Sequence, residues 1–211
     1  TGTEQQSKTR LLSGFGDLTL GYKGFVFAHG SFRRDWTSLL PTGSNAYNFW
    51  DVDASFVFTE AISAFKSQDV ISYGKIRGTY SKTGQITIGP YNFTNIFDVA
   101  SGFPYGSTAG LTLDGSFRNP ELKPEKTTEK EVGLEMGLLK NRINVDLSYY
   151  HDVTSGQAFP VNISNTTGFS SAFVNAGEIL SQGFEATVSA DIIRNTASGL
   201  RWNVGATYSW N

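Results

Sequence analysis

The stretch KEVGLEMGLLKNRINVDLSYYHD shows most clearly how this chain is patterned. Val132, Leu134, Met136 and Leu138 alternate with Glu131, Gly133, Glu135 and Gly137, the period of a strand with one apolar and one polar face. After Lys140 and Asn141 the alternation restarts, with Ile143, Val145, Leu147 and Tyr149 opposed by Asn144, Asp146, Ser148 and Tyr150. The Lys140/Asn141 junction therefore predicts a tight hairpin turn, because Asn tolerates the positive φ such turns need. Two strands near the end follow the same rule. Phe184, Ala186, Val188, Ala190 and Ile192 share one face, and so do Trp202, Val204, Ala206, Tyr208 and Trp210.

Less regular alternation over residues 16–22, 25–35, 49–59 and 70–82 brings the expected number of strands to eight. Each is roughly nine to eleven residues long where the pattern is clean, the length a tilted strand needs to cross a bilayer. The predicted connections alternate in length: short at Lys23/Gly24, 60–69, Lys140/Asn141 and 194–199, long at 37–47, 83–126 and 153–182. Short turns at one rim and long loops at the other are the layout of an outer-membrane barrel. The long loops carry scattered aromatics, including Tyr91, Phe93, Phe97, Phe103, Tyr105, Phe169 and Phe173, and loops of such length are expected to be binding elements.

Polarity separates a membrane barrel from a soluble one. A barrel with its apolar face inward should present many Lys and Glu to water, whereas the polar positions here are mostly Gly, Ser, Thr, Asn and acidic residues. That suits a wet lumen. Trp50, Tyr149, Trp202, Tyr208 and Trp210 stand on the apolar face where girdle residues belong, although aromatics also favour strands in general. A soluble barrel or sandwich stays open on these grounds.

Composition narrows the classes further. Seventeen Lys and Arg against 19 Asp and Glu leave a net charge of −2, which does not suggest nucleic acid. No run approaches the ~18 apolar residues of a membrane-spanning helix, and the absence of cysteine removes disulfides, thiolate metal sites and thiol nucleophiles. The chain opens at Thr1 without an initiator Met and stops at Asn211 inside an alternating pattern, so it reads as a fragment made only of barrel.

Phosphate-binding, nucleophile-elbow and zinc-helix motifs are missing, and His29 and His151 are the only imidazoles. The expectation is a protein that is not an enzyme, with no catalytic residues, metal or cofactor. Asp51 and Asp53 share a strand face, as do Glu131 and Glu135; paired carboxylates could bind Ca²⁺ or work as acid and base, but a hydrated lumen wall accounts for both pairs. Arg33, Arg34 and Asp35 could grip an anionic solute, or Arg33 could pair with Asp35. The sequons at Asn92, Asn162 and Asn165 are explained by Asn- and Thr-rich loops.

The stretch NPELKPEKTTEKEVGLEMGLLKNRINVDLSYYHD resembles the C-terminal half of the barrel of SusC/RagA-like TonB-dependent outer-membrane transporters. GYKGFVFAHGSFRRD, KIRGTYSKTGQ and GFSSAFVNAGEILSQGFEATVSA resemble further elements of that family in the same order. Ser81 stands where the family has Gly, Gln85 where it has Asn, and residues 50–59 lack its Gly-Trp pair. The resemblance implies an all-β, antiparallel up-and-down transmembrane barrel, of which this chain is about eight strands out of about 22. It implies import of an oligosaccharide or peptide, energised through TonB by a segment outside this chain, beneath a SusD-like surface lipoprotein. It also implies the outer membrane of a Gram-negative bacterium, Bacteroidota in particular, with lipid around the barrel and the long loops outside the cell. Tyr91, Phe93, Tyr105 and Asn119 are the substrate-contact candidates, by location in those loops. A small self-contained outer-membrane barrel for adhesion or anchoring, and a soluble β-sheet binding module, are the alternatives.

Overall fold

A computed structural model of the chain describes residues 6–66, 68–90, 92–99, 110–194 and 199–211. In chain order the elements are β1 (Leu11–Tyr22), β2 (Val26–Thr37), β3 (Ala46–Val57), α1 (Phe58–Ala61), α2 (Ser63–Lys66), β4 (Ile71–Gln85), β5 (Phe97–Val99), β6 (Leu111–Leu113) and β7 (Ser116–Phe117). There follow β8 (Glu125–Leu138), β9 (Ile143–Asn162), β10 (Ser171–Arg194) and β11 (Arg201–Trp210). The main sheet runs β1-β2-β3-β4-β8-β9-β10-β11, eight long strands each antiparallel to its neighbour, as the alternation predicted. β7 pairs with the start of β10, β5 pairs with β6, and among the described residues β1 and β11 do not pair with each other.

Register keeps one face polar across every strand boundary. Asp17 lies opposite Ser31, His29 opposite Asp53, Ser55 opposite Arg77, Lys75 opposite Glu135 and Glu135 opposite Asp146. Side chains alternate along a strand, so the other face collects Leu18, Val52, Ile76, Val132, Val188 and Val204, which are 61%, 50%, 48%, 61%, 41% and 46% exposed. An apolar face this open must be covered by something outside the sheet, as a membrane or a partner surface would cover it. The sheet therefore has no core of its own. The small buried core is Leu40, Ile88 and Leu122, packed by Tyr47, Ile86, Ala158 and Phe173 at the long-loop end.

Three expected connections differ from what the pattern predicts. Lys23 and Gly24 turn the chain at positive φ (49° and 74°), and Phe25 N–H donates to Tyr22 O at 3.2 Å, but the closing pair is Tyr22 and Val26, so the connection has three residues and not two. The Lys140/Asn141 turn is wider: Leu138 and Ile143 are the closing pair, Leu139, Lys140 and Asn141 all have positive φ, and Arg142 N–H donates to Leu138 O at 2.9 Å. Residues 60–69 are not a plain turn, since they hold the end of α1 and all of α2, and the connection 194–199 falls largely outside the described residues.

The largest correction concerns residues 153–182. Only 163–170 of them, with a 3-10 turn at Asn165–Thr167, are a loop: β9 and β10 pair in register from Ile143↔Ala190 to Asn162↔Ser171, interrupted only by irregularities around Gly177. β10 is 24 residues long. At about 3.3 Å per residue it exceeds a hydrocarbon core of about 30 Å. The alternation fades above the bilayer because no lipid selects for it there, while each arm still satisfies the other's backbone.

Candidate functional site

At the centre of the polar face, Arg77 from β4 reaches across β8 to β9. It donates to Glu131 and Glu135 at 3.0 Å each and to Asp146 at 3.2 Å, and Lys75 adds a bond to Glu135 at 3.0 Å. Gly133 makes this possible, because a Cβ there would lie 2.6 Å from Arg77 Cζ. The run Glu131-Val132-Gly133-Leu134-Glu135 thus has a physical meaning: two carboxylates hold a guanidinium and the glycine between them leaves it room. Glu131 and Glu135 form a charged lumen wall, as the strand period suggested.

Nearer the short-turn end, His29 joins three strands. Its Nε2 contacts the Asp17 carboxylate, and its Nδ1 lies 2.6 Å from Asp53 Oδ2 and 3.4 Å from Asp51 Oδ2. Ser31 donates to the same Asp51. His29, Asp51 and Asp53 are a donor set of the kind a divalent cation takes, with Asp17 placed to fix the ring. The imidazole also serves simply as the bridge between carboxylates of a hydrated wall. Asp17 escapes a reading of the sequence because one strand alone shows only i, i+2 neighbours; the β1–β2 register supplies the rest.

Arg33 and Arg34 point to opposite faces. Arg33 is engaged by Asp35 in a bidentate pair at 2.7 and 2.9 Å, whereas Arg34 lies 5.3 Å over the Trp36 ring. The structure thus favours pairing over a shared grip on an anion.

At the long-loop end, the Asn-Pro-x-Leu-Lys-Pro-Glu segment serves as an anchor. Leu122 is fully buried in the loop core, and the buried Glu125 carboxylate accepts from Gln85 Nε2, Thr87 Oγ1 and Ala158 N. Gln85, one of the departures from the family pattern, donates to Glu125 at 3.3 Å. Asn175 joins the anchor by bonding the Lys123 backbone in both directions. Of the four substrate-contact candidates, Asn119 caps a turn by accepting from Glu121 N at 2.8 Å, and Phe93 is half-buried in the stretch after β4. Tyr91 and Tyr105, like Phe103, lie outside the described residues. Phe117 and Phe169 stand edge to face at 5.3 Å at the long-loop end.

The family model described as TonB dependent receptor-like, beta-barrel, matches residues 2–211. TonB-dependent receptor P39 of Formosa agariphila is 28% identical over 211 residues, 100% of this chain and 20% of that protein. TonB-dependent receptor SusC of Bacteroides thetaiotaomicron is 28% identical over 214 residues, covering 99% and 21%. The chain thus spans about one fifth of the length of these curated relatives. Among solved structures, the RagAB peptide importer in its open-open state superposes with a TM-score of 0.83 at 23% identity, over 95% of this chain and 21% of that one. The siderophore receptor PirA from Pseudomonas aeruginosa gives 0.58 at 14% identity, over 97% and 35%. At these identities the superpositions speak for the fold.

Proposed function

We infer that this chain, which belongs to the TonB dependent receptor-like β-barrel family, forms part of the wall of a bacterial outer-membrane importer. The observation that carries the reading is the division of one sheet into two faces. The outward face is apolar and open over all eight long strands, and the inward face is polar, with ion pairs that span up to three strands. Such a wall separates lipid from a water-filled interior and performs no chemistry of its own.

The cargo in this reading is an oligosaccharide or a peptide, imported with energy from TonB beneath a SusD-like surface lipoprotein. The likeness to SusC and to a peptide importer supports that choice. The long-loop end faces outside the cell and Tyr91, Phe93, Tyr105 and Asn119 contribute to the mouth. The small self-contained barrel is disfavoured by β1 and β11, which do not pair with each other among the described residues.

Deleting the gene for the intact protein in its native bacterium tests the proposal. Uptake of labelled oligosaccharides or of labelled peptides should be lost, lost equally in a TonB-deficient strain, and restored by the full gene. Undiminished uptake of both classes, or absence of the protein from the outer-membrane fraction, would reject it.

A further inference from the structure

On the apolar face the aromatic girdle is staggered. Phe32 and Trp50 are cross-strand partners, Tyr80 meets Trp50 edge-on at 5.2 Å, and Tyr149, Phe184 and Trp210 form one continuous row of partners. The stagger is what tilted strands require. Two residues further toward the long-loop end, the same face carries Arg34, Asn48, Lys82, Lys130, His151 and Gln182 on six successive strands, and none of these is acidic.

The cations concentrate where β4 meets β8. Lys82 is the cross-strand partner of Thr128, and Thr128 is flanked on its own face by Lys126 and Lys130. Diagonal neighbours of this kind lie about 7–8 Å apart, and like charges at that spacing repel. Lys130 also stands 6.0 Å over the Tyr80 ring. Lys82, Lys126 and Lys123 line a groove of about 420 Å³ together with Phe32 and Trp50.

The opposite rim is built differently. There Lys140 pairs with Asp69 at 3.1 Å, Arg194 approaches Asp191 at 3.8 Å, and Arg142 donates to the carbonyls of Asp191 and Ile192. Among the described residues Lys82, Lys126 and Lys130 make no ion pair with a carboxylate. The one carboxylate lining that groove, Glu125, is buried and already held by Gln85, Thr87 and Ala158, so three ammonium groups around one hydroxyl favour an anion from outside. The anion must reach a face whose next residues down are buried in hydrocarbon, and a membrane lipid satisfies both conditions at once.

We propose that Lys82, Lys126 and Lys130 around Thr128 bind the phosphate of a phosphorylated glycolipid in the leaflet that surrounds the long-loop end. The ammonium groups and Arg34 meet the phosphate charge, Asn48 and Gln182 offer amides to sugar hydroxyls, and Trp50 and Tyr80 lie at the start of the acyl chains. The inference rests on the reading of this sheet as an outer-membrane barrel wall.

The test uses the full-length transporter extracted in mild detergent, with monophosphorylated lipid A and its dephosphorylated counterpart as probes in native mass spectrometry. The unmodified protein should retain the phosphorylated probe at least tenfold better than the other. The Lys82→Gln/Lys126→Gln/Lys130→Gln variant should lose at least that tenfold advantage, the corresponding Lys→Arg triple should keep it, and Lys140→Gln at the other rim should leave it unchanged. Heat-dependent gel migration reports whether each barrel is folded; if the Gln triple does not fold, Lys126→Gln alone, at an exposed position, should lower retention severalfold. Equal retention of the two probes, or retention unaffected by the Gln substitutions in a folded barrel, overturns the inference. Failure of the protein to fractionate with outer membranes would instead overturn the barrel-wall reading beneath it.

Discussion

The Asn175 carboxamide and the Lys123 backbone hold each other in both directions: Asn175 Nδ2 donates to Lys123 O at 2.8 Å, and Asn175 Oδ1 accepts from Lys123 N at 2.9 Å. The same Nδ2 donates to Gly156 O at 2.8 Å, so one side chain ties the segment before β8 to β9 and β10. Asn175→Ala should remove about 2 kcal/mol of local stability, since it leaves several backbone groups unpaired. Hydrogen exchange at residues 121–123 of the intact protein should then accelerate on the order of thirtyfold while exchange in β1 and β2 stays the same. Unchanged exchange at Lys123 would reject this anchoring role.

Arg77 and Gly133 form a second dependent pair. Arg77→Ala should lower stability by about 2 kcal/mol, less than a fully buried network would lose because the guanidinium side chain is 27% exposed. Gly133→Ala should also destabilise, because its new Cβ lies 2.6 Å from Arg77 Cζ and displaces the guanidinium from its carboxylates. In the Arg77→Ala background the same glycine change should cost almost nothing. Unfolding in urea from lipid vesicles measures all three variants, and additive effects would show that the contact is not the cause.

How much of this was legible in the sequence depends on which force selected each residue. Val132 through Leu138 and Ile143 through Tyr149 read correctly because lipid on one side and water on the other impose a strict period of two. The upper halves of β9 and β10 carry Gly156, Pro160 and Gly177 and no clean alternation, since there both faces leave the bilayer and only the partner strand constrains them. The wide 139–142 turn was illegible for another reason: three consecutive non-glycine residues at positive φ have no composition signal. At the functional level, the family-like stretches contain Glu125 and Asn175 without singling them out, because their role, bonding the protein's own backbone, depends on contacts between distant segments. The His29 cluster needed register between three strands, which no single segment contains.

The register itself predicts a labelling pattern. Val145 is paired with Met136 and Val188 on the apolar face, and Asp146 bonds Arg77 on the other. With a probe attached through Val145→Cys or Asp146→Cys, a lipid-soluble quencher should therefore reach the first position and spare the second in the assembled protein. Val145→Arg should cost about 2–4 kcal/mol near the midplane and much less near a rim. Stronger quenching at 146 would mean that the strand is slipped by one residue.

Acid should loosen the segment that carries Asp114. Hydrogen bonds from Arg118, at 2.7 and 3.2 Å to Asp114 Oδ2, hold the Asp114 carboxyl below its usual range, although burial acts in the opposite sense. A carboxyl lowered in the folded state contributes stability that is full above its unfolded value, about 3.9, and that is lost as pH falls through the lowered one. Amide exchange at residues 115–118, corrected for intrinsic rates, should thus rise below about pH 4 and stay level above about pH 5. Asp114→Asn should abolish that dependence; the same acid response in both proteins would reject it.

The final prediction concerns the 211-residue chain separated from the rest of its protein: it should neither transport nor bind cargo with appreciable affinity. Each backbone group in hydrocarbon needs a hydrogen-bond partner. The outer edges of β1 and β11 have no strand beside them among the described residues. Alone, the eight strands must therefore close on themselves or remain unfolded in lipid. Closure at eight strands leaves an interior that side chains fill, and here the inward face already carries Arg77, Glu131, Glu135, Asp146, His29 and their partners. Such a lumen has no volume left for an oligosaccharide or a peptide, so cargo recognition requires the wide barrel that further strands provide. Titration of the purified chain in liposomes with labelled glycans and peptides checks this directly. Saturable binding at micromolar concentration would falsify it, and would favour the small self-contained barrel over the importer.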